Sequence, residues 1–325
     1  MSAGTPVLSL SVVVCTYQGA DFLGEQLESV ARQTRAADEM VVVDDGSTDG
    51  SLAIAREFAA RAPFPVRVER NAANLGYAAN FGRAIGMARG DVVVLADQDD
   101  VWDPRKLAEV EAAFSATPSP SLVFSDGEVV DGDLRPLGYT LWEAVGMGAA
   151  GRARMLAGDA FETLLAGTFV TGATLAFPAS LRPLLLPVPP GVHHDAWIAL
   201  LAAASGEAVA IPRPLIRYRQ HGRNQIGAQR PSLLGRVRRA RQRRFRDIEG
   251  LRMLLEAARE RLEAHGGLRP GRAAALDEAI GLLRVRAGLP QARLRRVGPV
   301  VGELLAGRYR RRARGISSAL RDLVA

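Results

Sequence analysis

Residues 92–104 read Val92-Val-Val-Leu-Ala-Asp97-Gln98-Asp99-Asp100-Val-Trp102-Asp103-Pro104. Five apolar residues run straight into four polar ones, three of them carboxylic acids. A continuous apolar run of this kind reads as a strand buried on both faces, in the middle of a parallel sheet. Asp103-Pro104 reads as the start of a helix. The carboxylates therefore sit on a tight turn at the C-terminal end of a buried strand, where open α/β sheets bind ligands. Three crowded carboxylates repel one another unless a positive charge neutralises them. A divalent cation with oxygen ligands, Mg2+ or Mn2+, carried on a phosphate-bearing substrate, is the economical partner. A solvated acidic turn is the competing reading, and the matching turn elsewhere in the chain weighs against it.

That second turn follows Met40-Val-Val-Val43, again a short buried strand, and reads Asp44-Asp45-Gly46-Ser47-Thr48-Asp49. Around the two turns, strand and helix alternate. Leu8–Cys15 is the first strand, with Thr16-Tyr17-Gln18-Gly19 as its C-terminal loop. Residues 20–33 form a helix, 49–62 a second, 65–69 a strand, and 78–89 a helix ended by Gly90. This order predicts an α/β fold: a mostly parallel sheet with helices on both faces, joined right-handedly, and both acidic turns on one edge.

Some functions are excluded at this stage. Asp45, Ser47, Asp49 and Gly50 mimic part of a calcium-binding EF-hand loop, but Arg56 stands where a bidentate Glu is required. Gly-x-Gly-x-x-Gly follows neither strand, which argues against a dinucleotide enzyme. One cysteine, Cys15, rules out an intrachain disulfide framework and suits a reducing cytosol. Its apolar neighbours suggest a buried, inert thiol. No basic-then-apolar leader is legible, and the longest apolar run, Ala196–Ala204, is too short to span a bilayer.

Four motifs in order, Thr16-Tyr17, Val43-Asp44-Asp45-Gly46-Ser47-Thr48-Asp49, Asn74-Leu75-Gly76 and Asp97-Gln98-Asp99, resemble family 2 of the inverting nucleotide-sugar glycosyltransferases, with the GT-A fold. The resemblance covers residues 8–225. It implies that Thr16, Tyr17 and Asp45 hold the nucleobase and ribose, with Asn74 in the same donor-binding set. An Asp accepts from a uracil or thymine imide N–H, and a Tyr ring stacks on a base. It further implies that Asp97 contacts ribose and Asp99 the metal, while Asp100 is extra and suited to capping the next helix. Within the family, Asp-Gln-Asp-Asp-Val-Trp is most similar to bacterial rhamnosyltransferases of cell-surface polysaccharide synthesis. A dTDP- or UDP-linked sugar is the implied donor, and a lipid-linked or polysaccharide hydroxyl the acceptor.

After residue 105 the order changes. A helix, 104–116, precedes a strand, 121–125, and a polar turn, Asp126–Asp133, whose acids read as solvated. Residues 139–166 read as a helical segment beside the acceptor cleft or as a plain surface helix pair. A strand spans 168–177, in which Gly172 signals a bulge or a close backbone approach. A Pro-rich loop then delivers His193-His194-Asp195 to the head of an apolar helix, 196–204. An Asp there is ordinarily a cap. The resemblance instead places the catalytic base here, which assigns Asp195 as general base and His194 as its orienting or acceptor-binding neighbour. A strand pair, Ala208–Ile211 and Leu215–Tyr218, leads into Arg219-Gln220-His221-Gly222-Arg223-Asn224. His221 is a candidate metal ligand, and Arg219 and Arg223 candidate diphosphate clamps.

The charge distribution marks a boundary. Residues 1–229 carry 18 Lys+Arg and 26 Asp+Glu, a net of −8; residues 230–325 carry 24 Arg and 9 Asp+Glu, a net of +15. The expected organisation is a GT-A-like domain, 1–229, and a basic, helical C-terminal extension, 230–325. Arg236–Arg244 and Arg308–Arg312 are the densest clusters. Helices with Arg on one face and Leu or Val on the other suit an anionic membrane surface. Nucleic acid is disfavoured because Phe245 and Tyr309 are the only aromatic platforms there. The expected location is cytoplasmic, peripheral at the inner face of the membrane. Two rivals stand beside this reading. A nucleotidyltransferase would carry a Gly-rich, Arg/Lys-bearing loop after the first strand. A non-catalytic nucleotide-sugar or membrane-binding module would bind without turnover.

Overall fold

The structure, a computed structural model, describes residues 8–222, 233–266, 268, 270–313 and 315–324; at 233–247 and 270 it describes the backbone alone. In chain order the elements are β1 (Leu10–Thr16), α1 (Ala20–Ala31), β2 (Glu39–Asp44), α2 (Ser51–Arg61), β3 (Val66–Arg70), α3 (Tyr77–Met87) and β4 (Val92–Ala96). Then come β5 (Val101–Trp102), α4 (Lys106–Ala116), β6 (Pro120–Val130), β7 (Pro136–Thr140), α5 (Leu141–Ala144), α6 (Ala149–Leu156) and α7 (Ala160–Leu164). They are followed by β8 (Leu175–Pro178), α8 (Arg182–Leu185), α9 (His194–Ser205) and β9 (Glu207–Arg219). The last five are α10 (Leu233–Ala264), α11 (Pro270–Ala287), α12 (Arg293–Leu305), α13 (Arg308–Arg312) and α14 (Ile316–Val324).

The chain divides into two compact units: Met1–Gly158 with Phe169–Gln229, and Asp159–Thr168 with Arg230–Ala325. The first is an α/β unit around one sheet, in the order β3-β2-β1-β4-β8-β6-β9-β5, with β7 added on β6. Strands β1 to β4 are parallel, and β8 enters antiparallel between β4 and β6. Each of β1 and β4 is buried along its whole length, as their apolar runs require. Because β1 lies between β2 and β4, strand order reverses there. Residues at the C-terminal ends of β1 and β4 therefore border a topological switch point, where a crevice opens.

Several local expectations need correction. The acids of 126–133 are not all solvated. β6 continues through Val130, and Asp126 is buried, its Oδ1 accepting from Trp142 N (3.0 Å) and Gly127 N (2.8 Å). The hairpin turn comes later, with Asp131 Oδ1 accepting from Asp133 N and Arg135 N. The strand expected over 168–177 is shortened to β8. Gly172 opens a 3-10 turn and marks the close approach its glycine signalled: a Cβ there would stand 2.8 Å from His194 Nε2. The expected pair 208–218 is one strand, β9, whose ladder with β6 shifts register between Ser125 and Asp126, opposite Pro214. Helix α4 starts at Lys106, with Asp103 Oδ1 closing a turn onto Arg105 N (2.9 Å).

The second unit is helical. Leu254, Leu255, Ala258 and Leu262 of α10, and Leu276, Ala279 and Leu283 of α11, are buried. Leu282, Val300, Tyr309 and Ala319 form a second cluster that ties α11 to α14. Many of its arginines are paired: Arg259 with Asp277 (2.9 Å), Arg284 with Glu256 (2.9 Å), and Arg312 with Glu278 (2.7 Å) and Glu162. No helix among the described residues is long and apolar enough to cross a membrane.

Candidate active site

The site is built by four loops and one helix start. The first loop leaves β1. Thr16 Oγ1 donates to Gln98 Oε1 (2.7 Å), which also accepts from Tyr17 N (2.8 Å), while Gln98 Nε2 donates to Tyr17 O (3.2 Å). Gln98 thus ties the end of β1 to the acidic turn. A Cβ at Gly19 would lie 2.2 Å from Gln98 Oε1, so a larger residue there would displace the Gln98 amide from these bonds. Buried Thr16 faces the protein, whereas the Tyr17 ring is 41% exposed and free to stack on a flat ligand.

The second loop leaves β2. Asp44 Oδ1 accepts from Gly46 N and Ser47 N, an Asx turn. Asp45 is buried. Its Oδ1 accepts from Asn71 Nδ2 (2.6 Å) and Leu75 N (2.8 Å), and its Oδ2 from Gly76 N (2.9 Å). The carboxylate therefore pins the third loop, 71–76, in place. Asn74 takes part in the same clamp, donating to Asp45 O (3.2 Å) and accepting from Gly76 N (3.1 Å). These contacts leave Asp45 and Asn74 as organisers of the crevice wall.

The acidic turn follows β4. Asp99 Oδ2 lies 2.9 Å from His221 Nε2, just past the end of β9, and the His221 ring stacks on Phe22 (4.7 Å). Among the described residues no third His, Cys, Asp or Glu joins this pair as a metal cluster. A carboxylate and an imidazole at this separation fit a cation that completes its shell with water and substrate phosphates, the usual habit of Mg2+. Burial and the nearby charges of Asp99 and Asp195 push Asp97 up to about 7. The carboxylates of both chemical stretches thus share one electrostatic site.

Asp100 does not cap a helix. It is buried, its Oδ1 accepts from Arg219 N (3.1 Å), and its Oδ2 has no hydrogen-bond partner among the described residues. Arg219, expected to clamp a diphosphate, is also buried. It donates to Asp99 O (2.8 Å), Gly132 O and Glu25, and its guanidinium lies over the Phe22 ring (4.6 Å). These bonds make it a brace behind the acidic turn. Arg223, the other proposed clamp, lies outside the described residues.

Beneath the turn sits Lys106, the only lysine in the chain and fully buried. Its Nζ donates to Ala173 O (2.6 Å) and lies 3.7 Å from the centre of the Trp102 ring. Burial pushes its pKa down to about 7, against the attraction of Asp100 and Asp97. Removing a buried cation that offsets neighbouring buried carboxylates leaves them uncompensated. Lys106→Met is accordingly expected to lower unfolding free energy by about 3–5 kcal/mol, measured in urea. Asp100→Asn added to it should cost less than the sum of the two single changes; strict additivity would show that the two charges are not coupled.

The last wall is the start of α9. Helix residue Asp195 is half-buried and accepts from its neighbour Ala196 N (2.7 Å), while the N-cap position is His193, without a side-chain cap bond. Asp195 is therefore not the cap of this helix. His194 is buried, stacked on Phe81 (4.1 Å), with neither ring nitrogen hydrogen-bonded among the described residues. Burial lowers its pKa, against the pull of the Asp195 charge. His193 instead bonds Tyr77 Oη through Nδ1, and the two rings stack at 5.7 Å. Burial and then the Asp195 charge raise the Tyr77 pKa, which sets Tyr77 beside the expected base.

The structure thus groups Asp97, Asp99, His221 and Asp195, and adds Gln98, Asn71, Tyr77 and His193, which sequence reasoning passed over. Gln98 carried a signal, lying inside the acidic motif. The Tyr77–His193 bond joins residues 116 positions apart, and no local pattern announces it.

Comparison with known proteins places this crevice among relatives. Residues 11–143 match the family model described as Glycosyl transferase family 2, which takes in both acidic turns and stops short of Asp195. An uncharacterized glycosyltransferase of Nostoc sp. is 29% identical over 220 residues, 67% of this chain and 66% of that protein. The chain spans 59–66% of the length of the curated relatives it matches over most of its own length. Two solved structures share the fold. Staphylococcus aureus TarS 1-349 in complex with UDP superposes with a TM-score of 0.56 at 17% identity, over 86% of this chain and 71% of that one. The mannosyltransferase PcManGT from Pyrobaculum calidifontis, in complex with GDP-Man and Mn2+, gives 0.59 at 22%, over 93% and 77%.

Proposed function

We propose, with the match of residues 11–143 to glycosyl transferase family 2 as the premise, that this chain is an inverting, metal-assisted glycosyltransferase. It moves a sugar from a nucleoside diphosphate to a hydroxyl of a lipid-linked or cell-surface polysaccharide acceptor. Rhamnose from dTDP is the narrower reading, carried by the Asp97-Gln98-Asp99-Asp100-Val101-Trp102 stretch alone. The observation that carries the proposal is the cluster of charged side chains at the switch point. There an Asp99–His221 pair, Asp97 and the helix-borne Asp195 share one charged site beside an exposed Tyr17.

In this reading Tyr17 stacks on the nucleobase, and the loops held by Asp45 and Asn74 shape the nucleoside pocket. Asp97 accepts from ribose. Asp99 and His221 would hold Mg2+ or Mn2+, which would supply charge neutralisation at the leaving diphosphate. Asp195 takes the proton of the acceptor hydroxyl as that oxygen bonds to the anomeric carbon. The bond from that carbon to the diphosphate oxygen breaks, and its electron pair leaves with the nucleotide. Attack from the opposite face inverts the configuration. His194, buried against Phe81, orients its neighbour Asp195 at the start of α9. The nucleotide-bound relatives above support a nucleotide-sugar donor, and the basic C-terminal helices support a peripheral site at the cytoplasmic membrane face.

A nucleotide-release assay over UDP-, GDP- and dTDP-linked sugars, with and without a bacterial lipid extract, tests the proposal. Release from one donor class, raised by the extract and lost in Asp195→Asn, is expected. Donor binding with no release above the Asp195→Asn background would leave a non-catalytic binding module in its place.

A further inference from the structure

A surface helix ordinarily buries its apolar stripe and shows polar residues to water. α12 does the reverse. Its buried positions are Arg296, Val300 and Glu303, whereas Leu294 (89% exposed), Val297, Val301, Leu304 and Leu305 (83%) point outward. At 3.6 residues per turn, those five lie within an arc of about 100°. α14 repeats the inversion: Ser318, Ala319 and Asp322 are buried, and Ile316 (67%), Leu320 (57%) and Val324 (60%) are exposed at i, i+4 and i+8. The two helices pack against each other.

The inversion is locked from within. Arg296 donates to Pro290 O, to Gln291 O (3.3 Å) and to Asp322 O (3.2 Å). Asp322 accepts from Arg286 Nε (2.9 Å) and Tyr309 Oη (2.5 Å). Turning either helix to hide its leucines would break this buried polar network, and unpaired buried groups are costly. The apolar faces therefore call for an apolar medium outside the protein.

Charge identifies that medium. Residues 293–324 carry nine Arg and two acids, a net of +7. Both acids are buried and paired, Asp322 with Arg286 and Glu303 with Arg308 (3.2 Å), while Arg293, Arg295, Arg310 and Arg321 are exposed. A second copy would bring the same positive sign against this surface and be repelled. An anionic bilayer supplies both hydrocarbon and negative charge. We propose that the outward faces of α12 and α14 form a lipid-inserting surface that seats this chain on an anionic membrane. A 13-residue helix, about 20 Å long, lies in the interface plane and does not span it. This deepens the lipid-linked acceptor reading, and vesicle binding scored without turnover keeps the two separable.

The test is co-sedimentation of the full chain with phosphatidylcholine vesicles and with phosphatidylcholine–phosphatidylglycerol vesicles, at low and high salt. Wild type should prefer the anionic vesicles and keep part of its binding at high salt. Leu294→Ser/Leu305→Ser/Leu320→Ser, all at exposed positions, should weaken binding roughly tenfold or more per leucine that inserts. Nucleotide release from a soluble donor and the circular dichroism melt should stay unchanged. Arg293→Gln/Arg295→Gln/Arg321→Gln should abolish the preference for anionic over neutral vesicles. Unchanged binding in the serine variant overturns the proposal. So does wild type that ignores vesicles but self-associates, or that prefers RNA in competition. Vesicle binding without turnover of any donor would instead count against the enzymatic reading and leave this one standing.

Discussion

Asp195→Asn is expected to lower turnover by roughly 10²–10⁴-fold, the range for removing a general base, with donor affinity nearly unchanged. Asparagine keeps the size of the side chain and can still accept from Ala196 N, as the Asp195 carboxylate does, so the start of α9 survives. It cannot take a proton. The comparison that decides the role is His194→Ala. Its ring packs on Phe81 with no hydrogen bond to either nitrogen among the described residues. That change should cost stability through a cavity and lower turnover less than Asp195→Asn does. Steady-state kinetics with donor binding by calorimetry separate the two. Turnover lost in His194→Ala but retained in Asp195→Asn would reverse the assignment.

Asp99→Ala is expected to remove metal-dependent donor binding and to lower kcat/KM by on the order of 10²–10³-fold or more, as for loss of a preorganised charge-stabilising contact. The variant should fold, because the neighbouring brace from Arg219 holds the backbone carbonyl of Asp99 and the side chain of Asp100. Titration calorimetry with nucleoside diphosphate, with and without Mn2+, gives a readout independent of turnover. Wild-type activity in excess chelator, or an Asp99→Ala variant that still binds nucleotide only when Mn2+ is present, would remove this carboxylate from the metal site.

The two predictions stand on parts of the molecule that differ in how plainly the chain announces them. The strand before Asp97 is legible because five consecutive apolar residues have to be buried on both faces, and β4 is buried throughout. The alternation of strand and helix through residue 96 follows from local periodicity, and it implies a parallel sheet with right-handed crossovers, whereas the order of its strands comes from the fold. Residues 126–130 and 168–177 are read less well. There, burial of Asp126 under Trp142 N and the approach of His194 to Gly172 override local pattern.

What the sequence by itself determined is therefore the run of elements through residue 96 and the edge of the sheet on which both acidic turns fall. Apolar period and turn chemistry act over a few residues, so they can be read locally. The working assignment of single side chains was decided only by tertiary structure. Asp45 holds a loop 30 residues away, Thr16 binds Gln98, and Arg219 braces a turn 120 residues earlier in the chain. A polar side chain takes whichever partners the fold brings within about 3 Å, and those partners are distant in sequence. The same holds for α12 and α14. Their apolar stripes can be read from the chain, but their outward direction is set by the buried Arg296–Asp322–Tyr309 network, which forms only when the helices assemble.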